Sequence, residues 1–191
     1  MKIAIIDCGS DAVCKISQVV SELWVENDVI LMKDLCDDDC VCKYDLSIYS
    51  GIIISGSPIT LTVENRDKYL KMFPFIKIME IPVFGICFGH QVIAHTFWAG
   101  YTNWEFIRWY FPINLLEENH LFTWTRERIF KQNHEQQVTL PTDFKLIANS
   151  DTCENEAMEH VSDQIHSVQF HPEWSGEEWK IVIHNFLKLC K

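Results

Sequence analysis

The chain has 191 residues, 48% of them hydrophobic, with 27 acidic against 16 basic side chains and a formal net charge of -11. That length and apolar share suffice for one buried core, so a single domain over residues 1–191 is expected. An acidic excess with no offsetting basic stripe repels a phosphate backbone, which argues against a nucleic-acid partner.

Residues 2–7 form a short apolar run that ends at Asp7 and is followed by Gly9, the pattern of a strand and its turn. The run is too short for a signal-peptide core or a membrane span, so no membrane association and a cytoplasmic setting are expected. Residues 11–24 carry apolar side chains at helical spacing. Residues 28–32 and 51–54 read as strands, 65–79 as a helix that Pro74 kinks, and 82–86 as a further strand. Beyond Phe88 and Gly89 the text runs without a turn signal into another helix. Short apolar strands alternating with helices imply a mainly parallel sheet covered on both faces.

The second half changes character. Residues 104–116 and 128–140 mix aromatic and β-branched residues with polar ones, which predicts an antiparallel β extension of that sheet. Residues 144–148 and 166–170 read as strands and 179–189 as a closing amphipathic helix. The rings of Trp104, Phe106, Trp109, Tyr110 and Phe111 are read as sheet packing, with a partner surface as the alternative.

The eight cysteines are expected to be free thiols rather than a disulfide framework. Cys8, Cys14, Cys153 and Cys190 are read as packing residues. Cys36, Cys40 and Cys42, interleaved with three aspartates, lack the paired spacing of a structural zinc site and read as an acidic surface loop; no metal and no cofactor is expected. No glycine-rich phosphate cradle occurs, so an ATP-dependent step would belong to another polypeptide.

One cysteine stands apart. The run GICFGHQ, residues 85–91, places Cys87 between an apolar strand and a helix, with a glycine two residues away on either side. Such a sharp turn pushes a nucleophile out of the sheet, needs glycine where no Cβ fits, and sets the sulfur at a helix N-terminus that favours a thiolate. Downstream, VQFHPEW at residues 168–174 supplies His171 and Glu173. Residues two apart in extended backbone face one side, so the Glu173 carboxylate is expected to hold the His171 ring while its other nitrogen faces Cys87. The SGSP run, residues 55–58, would offer a backbone N–H at Gly56 or Ser57 to an oxyanion, with Phe88 N–H as second donor. His90 is read as packing or capping locally. For His134, a place on the pocket wall and a satisfied surface histidine both stay open.

GICFGHQ, VQFHPEW and SGSP, in this order and separation, resemble the class I glutamine amidotransferases, and the resemblance covers essentially the whole chain. Within that family the text is most similar to the free-standing amidotransferase subunits of GMP synthases, through residues 144–160 and 185–190. The resemblance implies a flavodoxin-like fold, a Cys87–His171–Glu173 triad, and hydrolysis of the glutamine side-chain amide to supply ammonia to a partner synthetase. It further implies that Ser57, Gln91, Asn133, His134 and Glu135 border the substrate. Residues 97–111 depart from the family's usual glycine-rich text: Phe106 and Ile107 fall where a hydroxyl-bearing residue and a glycine are customary. Residues 123–130 also depart, and Trp124, Arg126 and Arg128 are expected to shape a different mouth. Two alternatives therefore stand: a γ-glutamyl hydrolase, peptidase or transferase acting on a modified substrate, and a non-catalytic regulatory protein on the same scaffold.

Overall fold

The structure is a computed structural model that describes every residue except Asp38, Asn103, Trp104 and Glu127, and only the backbone of Glu178 and Trp179. Its centre is an eight-stranded sheet. Strand β1 (Lys2–Asp7) pairs in parallel with β2 (Glu26–Leu31) on one side and β3 (Gly51–Ile54) on the other. β4 (Val83–Ile86) continues the parallel set and pairs with the last strand of the chain, β10 (Ile165–Val168). From there the sheet runs antiparallel through β9 (Ala157–His160), β8 (Phe144–Asn149) and the two-residue β6 (Asn114–Leu115), giving the order β2-β1-β3-β4-β10-β9-β8-β6. The expected mainly parallel sheet with an antiparallel extension is thus present.

The parallel strands are apolar on both faces because both are covered. In β1, Ile3 and Ile5 join a core with Val13, Ile16, Val19 and Val20 of α1 (Val13–Glu22) and Val182, Ile183 and Phe186 of α4 (Glu178–Leu187). Ala4 and Ile6, pointing the other way, join Val92 and Ile93 of α3 (Phe88–Thr96) together with Phe73, Phe75 and Ile76. The strand's period of two therefore feeds two separate cores from adjacent residues. Phe84 of β4 stacks on Phe186 of α4, with ring centroids 5.3 Å apart.

Three expectations are corrected. The segment 65–79 is a short helix, α2 (Arg66–Leu70), followed by a 3-10 turn at Pro74–Lys77. Proline does more than kink it: Phe73 before it sits at φ -123° and ψ 46°, outside the helical region that a following proline disfavours. Second, residues 107–112 and 129–134 do not extend the main sheet. β5 (Ile107–Pro112) and β7 (Ile129–His134) pair with each other as a separate antiparallel ribbon, and only β6 of that region enters the sheet. The ribbon is tied down from below: Phe130 of β7 stacks on Phe170, centroids 4.2 Å apart, with Phe122 packed against both. A stacked pair of this kind adds about 0.5–1.5 kcal/mol beyond the area it buries. Third, the ribbon's rings are not sheet packing, for Phe106, Trp109 and Tyr110 are exposed at 58%, 65% and 53%. Trp104 lies outside the described residues.

Among the cysteines, Cys8, Cys153 and Cys190 are buried as expected, whereas Cys14 is exposed. Cys36 is not on the surface of its loop; it is buried and donates from Sγ to Met72 O at 3.4 Å. No helix among the described residues is long and apolar enough to cross a membrane.

Candidate active site

Cys87 occupies the step between β4 and α3, at φ 49° and ψ -99°. Positive φ is costly for a residue with a Cβ, typically about 1–3 kcal/mol, and the surroundings enforce it. Its N–H donates to Val168 O at 2.8 Å, and its carbonyl accepts from Gln91 N at 3.0 Å, closing the first turn of α3. The two flanking glycines make the bend possible. A Cβ on Gly85 would stand 2.7 Å from Gly89 backbone, and one on Gly89 would stand 2.5 Å from Ile54 O. Strand and helix therefore approach to a distance that admits no side chain.

The histidine comes from a different support. His171 follows β10, and its backbone bridges to β7: His171 N donates to Lys131 O at 2.8 Å. Ser175 clamps the same link, its hydroxyl donating to His171 O at 2.7 Å and accepting from Lys131 N at 2.8 Å. The backbone past His171 is not extended. Pro172–Trp174 forms a 3-10 turn with proline in its first turn, and it is this turn that brings Glu173 Oε1 to 2.7 Å from His171 Nδ1. The pairing expected from the sequence is found, but its cause is a helical turn rather than strand alternation.

His171 and Glu173 are 6% and 1% exposed, and Cys87 is 5% exposed. Burial opposes a charge on the His171 ring, yet the neighbouring Cys87 and Glu173 charges outweigh it and hold the ring well above the ordinary histidine pKa. Among the described residues Nε2 is buried with no partner within hydrogen-bonding distance, and Cys87 raises the ring's pKa more through charge than through hydrogen bonding.

A cavity of about 140 Å³ opens onto the sulfur, lined by Cys87 and Phe88 and by all five residues expected to border a substrate: Ser57, Gln91, Asn133, His134 and Glu135. Phe106 stands on its wall, while Ile107 is buried in the ribbon. Several polar groups on this wall are already engaged. Ser57 Oγ donates to Cys8 O at 2.6 Å and accepts from Ile59 N at 3.1 Å. Gln91 Nε2 donates to Gln136 O at 3.1 Å and to Gln169 Oε1 at 3.3 Å. Both side chains thus shape the wall as much as they face the space. A second cavity of about 400 Å³ is lined by His171 with Gly9, Asp11, Arg108, Lys131 and Trp174, and shares Ser57, Pro58 and Asn133 with the first.

Gly56 touches both catalytic candidates; a Cβ there would stand 2.9 Å from His171 Cε1 and 3.7 Å from Cys87 Cβ. Phe88, the first residue of α3, has its N–H in the helix turn that carries unpaired donors. His90 is buried, its Nδ1 2.9 Å from Ser167 Oγ, and burial pushes its pKa down to about 3, consistent with a packing residue. Trp124 and Arg128 line a separate cavity of about 500 Å³ with Leu115 and His120, in which no catalytic candidate takes part, so they do not form its mouth.

Residues 132–138 resemble the family's pocket-bordering segment, but no role for Gln132 or Gln136 is legible there, nor for Gln169, all three fully buried around this site, nor for Lys131 and Ser175, which hold the His171 backbone. Gln169 donates to Cys87 Sγ at 3.6 Å. The available signal was density of amides: three glutamines lie within residues 132–138 and a fourth two positions before His171.

Comparison with known proteins identifies the family. Residues 4–189 match the family Glutamine amidotransferase class-I. The chain is 38% identical over 149 residues to a GMP synthase (glutamine-hydrolyzing) subunit of Methanosphaera stadtmanae, covering 74% of this chain and 75% of that protein. It is 33% identical over 192 aligned positions to the protein of the same name from Pyrococcus furiosus, covering 98% of each. A crystal structure of a protein described as a GMP synthase subunit, from Thermoplasma acidophilum, matches with a TM-score of 0.85 at 25% identity, covering 100% of this chain and 94% of that one. Sheet order, elbow and sequence together place the chain in one family: it belongs to the class I glutamine amidotransferases.

Proposed function

We propose that the chain is a glutaminase, folded as one domain over residues 1–191, that releases ammonia from glutamine for use by a separate synthetase subunit, as the names of its relatives among the GMP synthase subunits suggest. The observation that carries this reading is the bent Cys87 facing a cavity, with Gly56 lying against both Cys87 and His171, whose ring is paired to Glu173 at 2.7 Å. The eight free thiols fit a reducing, cytoplasmic setting.

In this reading the Cys87 thiolate attacks the side-chain amide carbon of glutamine, and the carbonyl electrons move onto oxygen, where the N–H groups of Gly56 and Phe88 receive them. The His171 imidazolium then protonates the departing nitrogen, which leaves as ammonia with formation of a thioester. The neutral ring next takes a proton from water, the resulting hydroxide attacks the thioester, and glutamate leaves as the sulfur regains its negative charge. Glu173 holds the ring in the orientation both transfers need. Gln91, Asn133, His134, Glu135 and Ser57 surround the amino-acid end of the substrate.

Phe106 favours a second reading. An apolar ring on the wall of the Cys87 cavity suits a bulkier γ-glutamyl conjugate as well as free glutamine. Glutamate release from glutamine and from γ-glutamyl conjugates is to be measured with the purified chain, alone and with a candidate synthetase subunit, beside Cys87→Ala. Release from glutamine that the partner stimulates supports the proposal. Efficient release from conjugates alone supports the second reading, and no release under any condition overturns both.

A further inference from the structure

Behind the pocket wall lies a buried carboxyl group that the proposed chemistry does not use. Glu156 is fully buried; its Oε1 accepts from Ser150 Oγ at 2.6 Å and lies 2.8 Å from Gln132 Nε2. The other end of the Gln132 carboxamide lies 3.1 Å from His134 Nε2, and His134 Nδ1 lies 3.2 Å from Gln136 O. That same carbonyl accepts the Gln91 Nε2 donor, and Gln91 and His134 both line the Cys87 cavity. A continuous chain of contacts thus runs from Glu156 to the cavity wall.

We propose that Glu156 is a positioning residue for this cavity: through Gln132 it fixes the tautomer of His134, and with it the Gln136 carbonyl that anchors Gln91. The inference rests on the glutaminase reading only for its effect on substrate.

The logic is one of donors and acceptors. A backbone carbonyl can only accept, so the His134 nitrogen facing Gln136 O must carry a proton to bond to it. In a neutral ring Nε2 is then an acceptor, and Gln132 must turn its NH₂ toward it. The Gln132 oxygen then faces Glu156, and two oxygens 2.8 Å apart attract only if one bears hydrogen, which requires a protonated carboxyl. The two ends of a glutamine carboxamide are interchangeable in outline, so this arrangement fits the same atomic positions. If Glu156 is ionised, Gln132 must turn its NH₂ to the carboxylate and its oxygen to the ring. His134 must then become doubly protonated or surrender the proton that faces Gln136.

Burial selects the neutral arrangement. It pushes the Glu156 carboxyl up to about 7 and the His134 ring down to about 4, so the shared proton resides on the carboxyl. Glu156 Oε2 is buried without a partner among the described residues, a position far less costly for a carbonyl oxygen than for half of a carboxylate. Other titratable groups face the chain of contacts: His171 and His90 interact with His134 by charge, and Cys153 lies by Glu156, with Glu154 and Cys87 acting on the same thiol. Of these groups and Glu156, only Glu156 reaches Gln132, opposite His134, by the hydrogen-bonding contacts described.

The test reads the ring directly. ¹⁵N-edited spectra of the His134 imidazole, assigned by their loss in His134→Asn, are recorded between about pH 5.5 and pH 8.5 for the wild type, Glu156→Gln and Glu156→Ala. The wild type is expected to hold Nδ1–H at low pH and to change as Glu156 ionises. Glu156→Gln, whose amide can donate to Gln132 at every pH, keeps Nδ1–H throughout, whereas Glu156→Ala loses the preference. In parallel, the wild-type KM for glutamine rises about three- to tenfold across the transition, the range expected when one hydrogen bond of the wall is lost. The KM of Glu156→Gln stays flat. A wild-type ring that keeps one tautomer throughout, or a Glu156→Gln ring that titrates like the wild type, overturns the proposal. Should the chain fail to hydrolyse glutamine, the ring spectra still decide this inference independently of the glutaminase reading.

Discussion

Gly56 presses on the His171 ring: a methyl group on its α-carbon would stand 2.9 Å from His171 Cε1, closer than carbon atoms normally approach. The glycine is required by this contact and not by backbone conformation, since its φ is not in the left-handed region. Gly56→Ala is therefore expected to fold and to push the ring off its line toward Cys87, lowering kcat roughly 100-fold, the scale of a displaced acid–base group. Gly56→Pro removes the N–H as well and should slow thioester formation in a single-turnover measurement. Unchanged rates in both would remove Gly56 from the oxyanion site.

Glu173 supports the charge on His171 from 2.7 Å. Replacing it with glutamine keeps the shape and removes the charge, so kcat should fall roughly 100- to 10,000-fold. The sign of the pH effect follows from the raised His171 pKa: the imidazolium form is lost as pH rises through the folded value, and without Glu173 that value drops. The alkaline limb of kcat/KM in Glu173→Gln should accordingly move to lower pH, and a limb that stays in place would contradict the pairing.

Gly89 is a packing constraint of another kind. Its added Cβ would meet Ile54 O at 2.5 Å, and a backbone oxygen in a central strand cannot swing aside. Gly89→Ala should lower stability by about 1–3 kcal/mol or more, the range for overpacked cores. Urea midpoints check this, and a change within experimental error would mean that α3 can slide on β3.

Glu156 carries a pH signature in stability. Its carboxyl is raised from 4.5 to about 7, so the folded chain binds more protons than the unfolded chain between those values, and stability falls as pH rises through that window. A shift of that size corresponds to about 3 kcal/mol. Thermal midpoints of the wild type should therefore decline between about pH 5 and pH 7.5, and the part of the slope due to this group should vanish in Glu156→Gln. Parallel slopes in the two proteins would place the proton elsewhere.

Much of this architecture is legible in the sequence where the determinants are local. The apolar runs of β1, β3 and β4 announce strands buried on both faces, and the two glycines around Cys87 announce a bend, because each signal lies within a few residues. What depends on distant partners was not legible. β5 and β7 look like sheet strands by composition, yet they pair only with each other, since the Phe130–Phe170 stack seats the ribbon apart from the sheet. β9 was missed because its four residues carry both a glutamate and a histidine. The candidate residues Cys87, His171 and Glu173 are legible as motifs, but Pro172 brings Glu173 around by a turn that strand periodicity does not describe. The Glu156 contacts join residues 24 positions apart and leave no periodic trace.

The backbone at Cys87 has a further consequence, since φ 49° and ψ -99° suit an amino acid without a β-carbon far better than cysteine. Cys87→Gly should relax that bend where Cys87→Ala cannot, and so melt later than the alanine variant, with both inert. Durability and the proposed reactivity pull in opposite directions at this one residue: the fold would be sturdier without the side chain that the proposed chemistry requires.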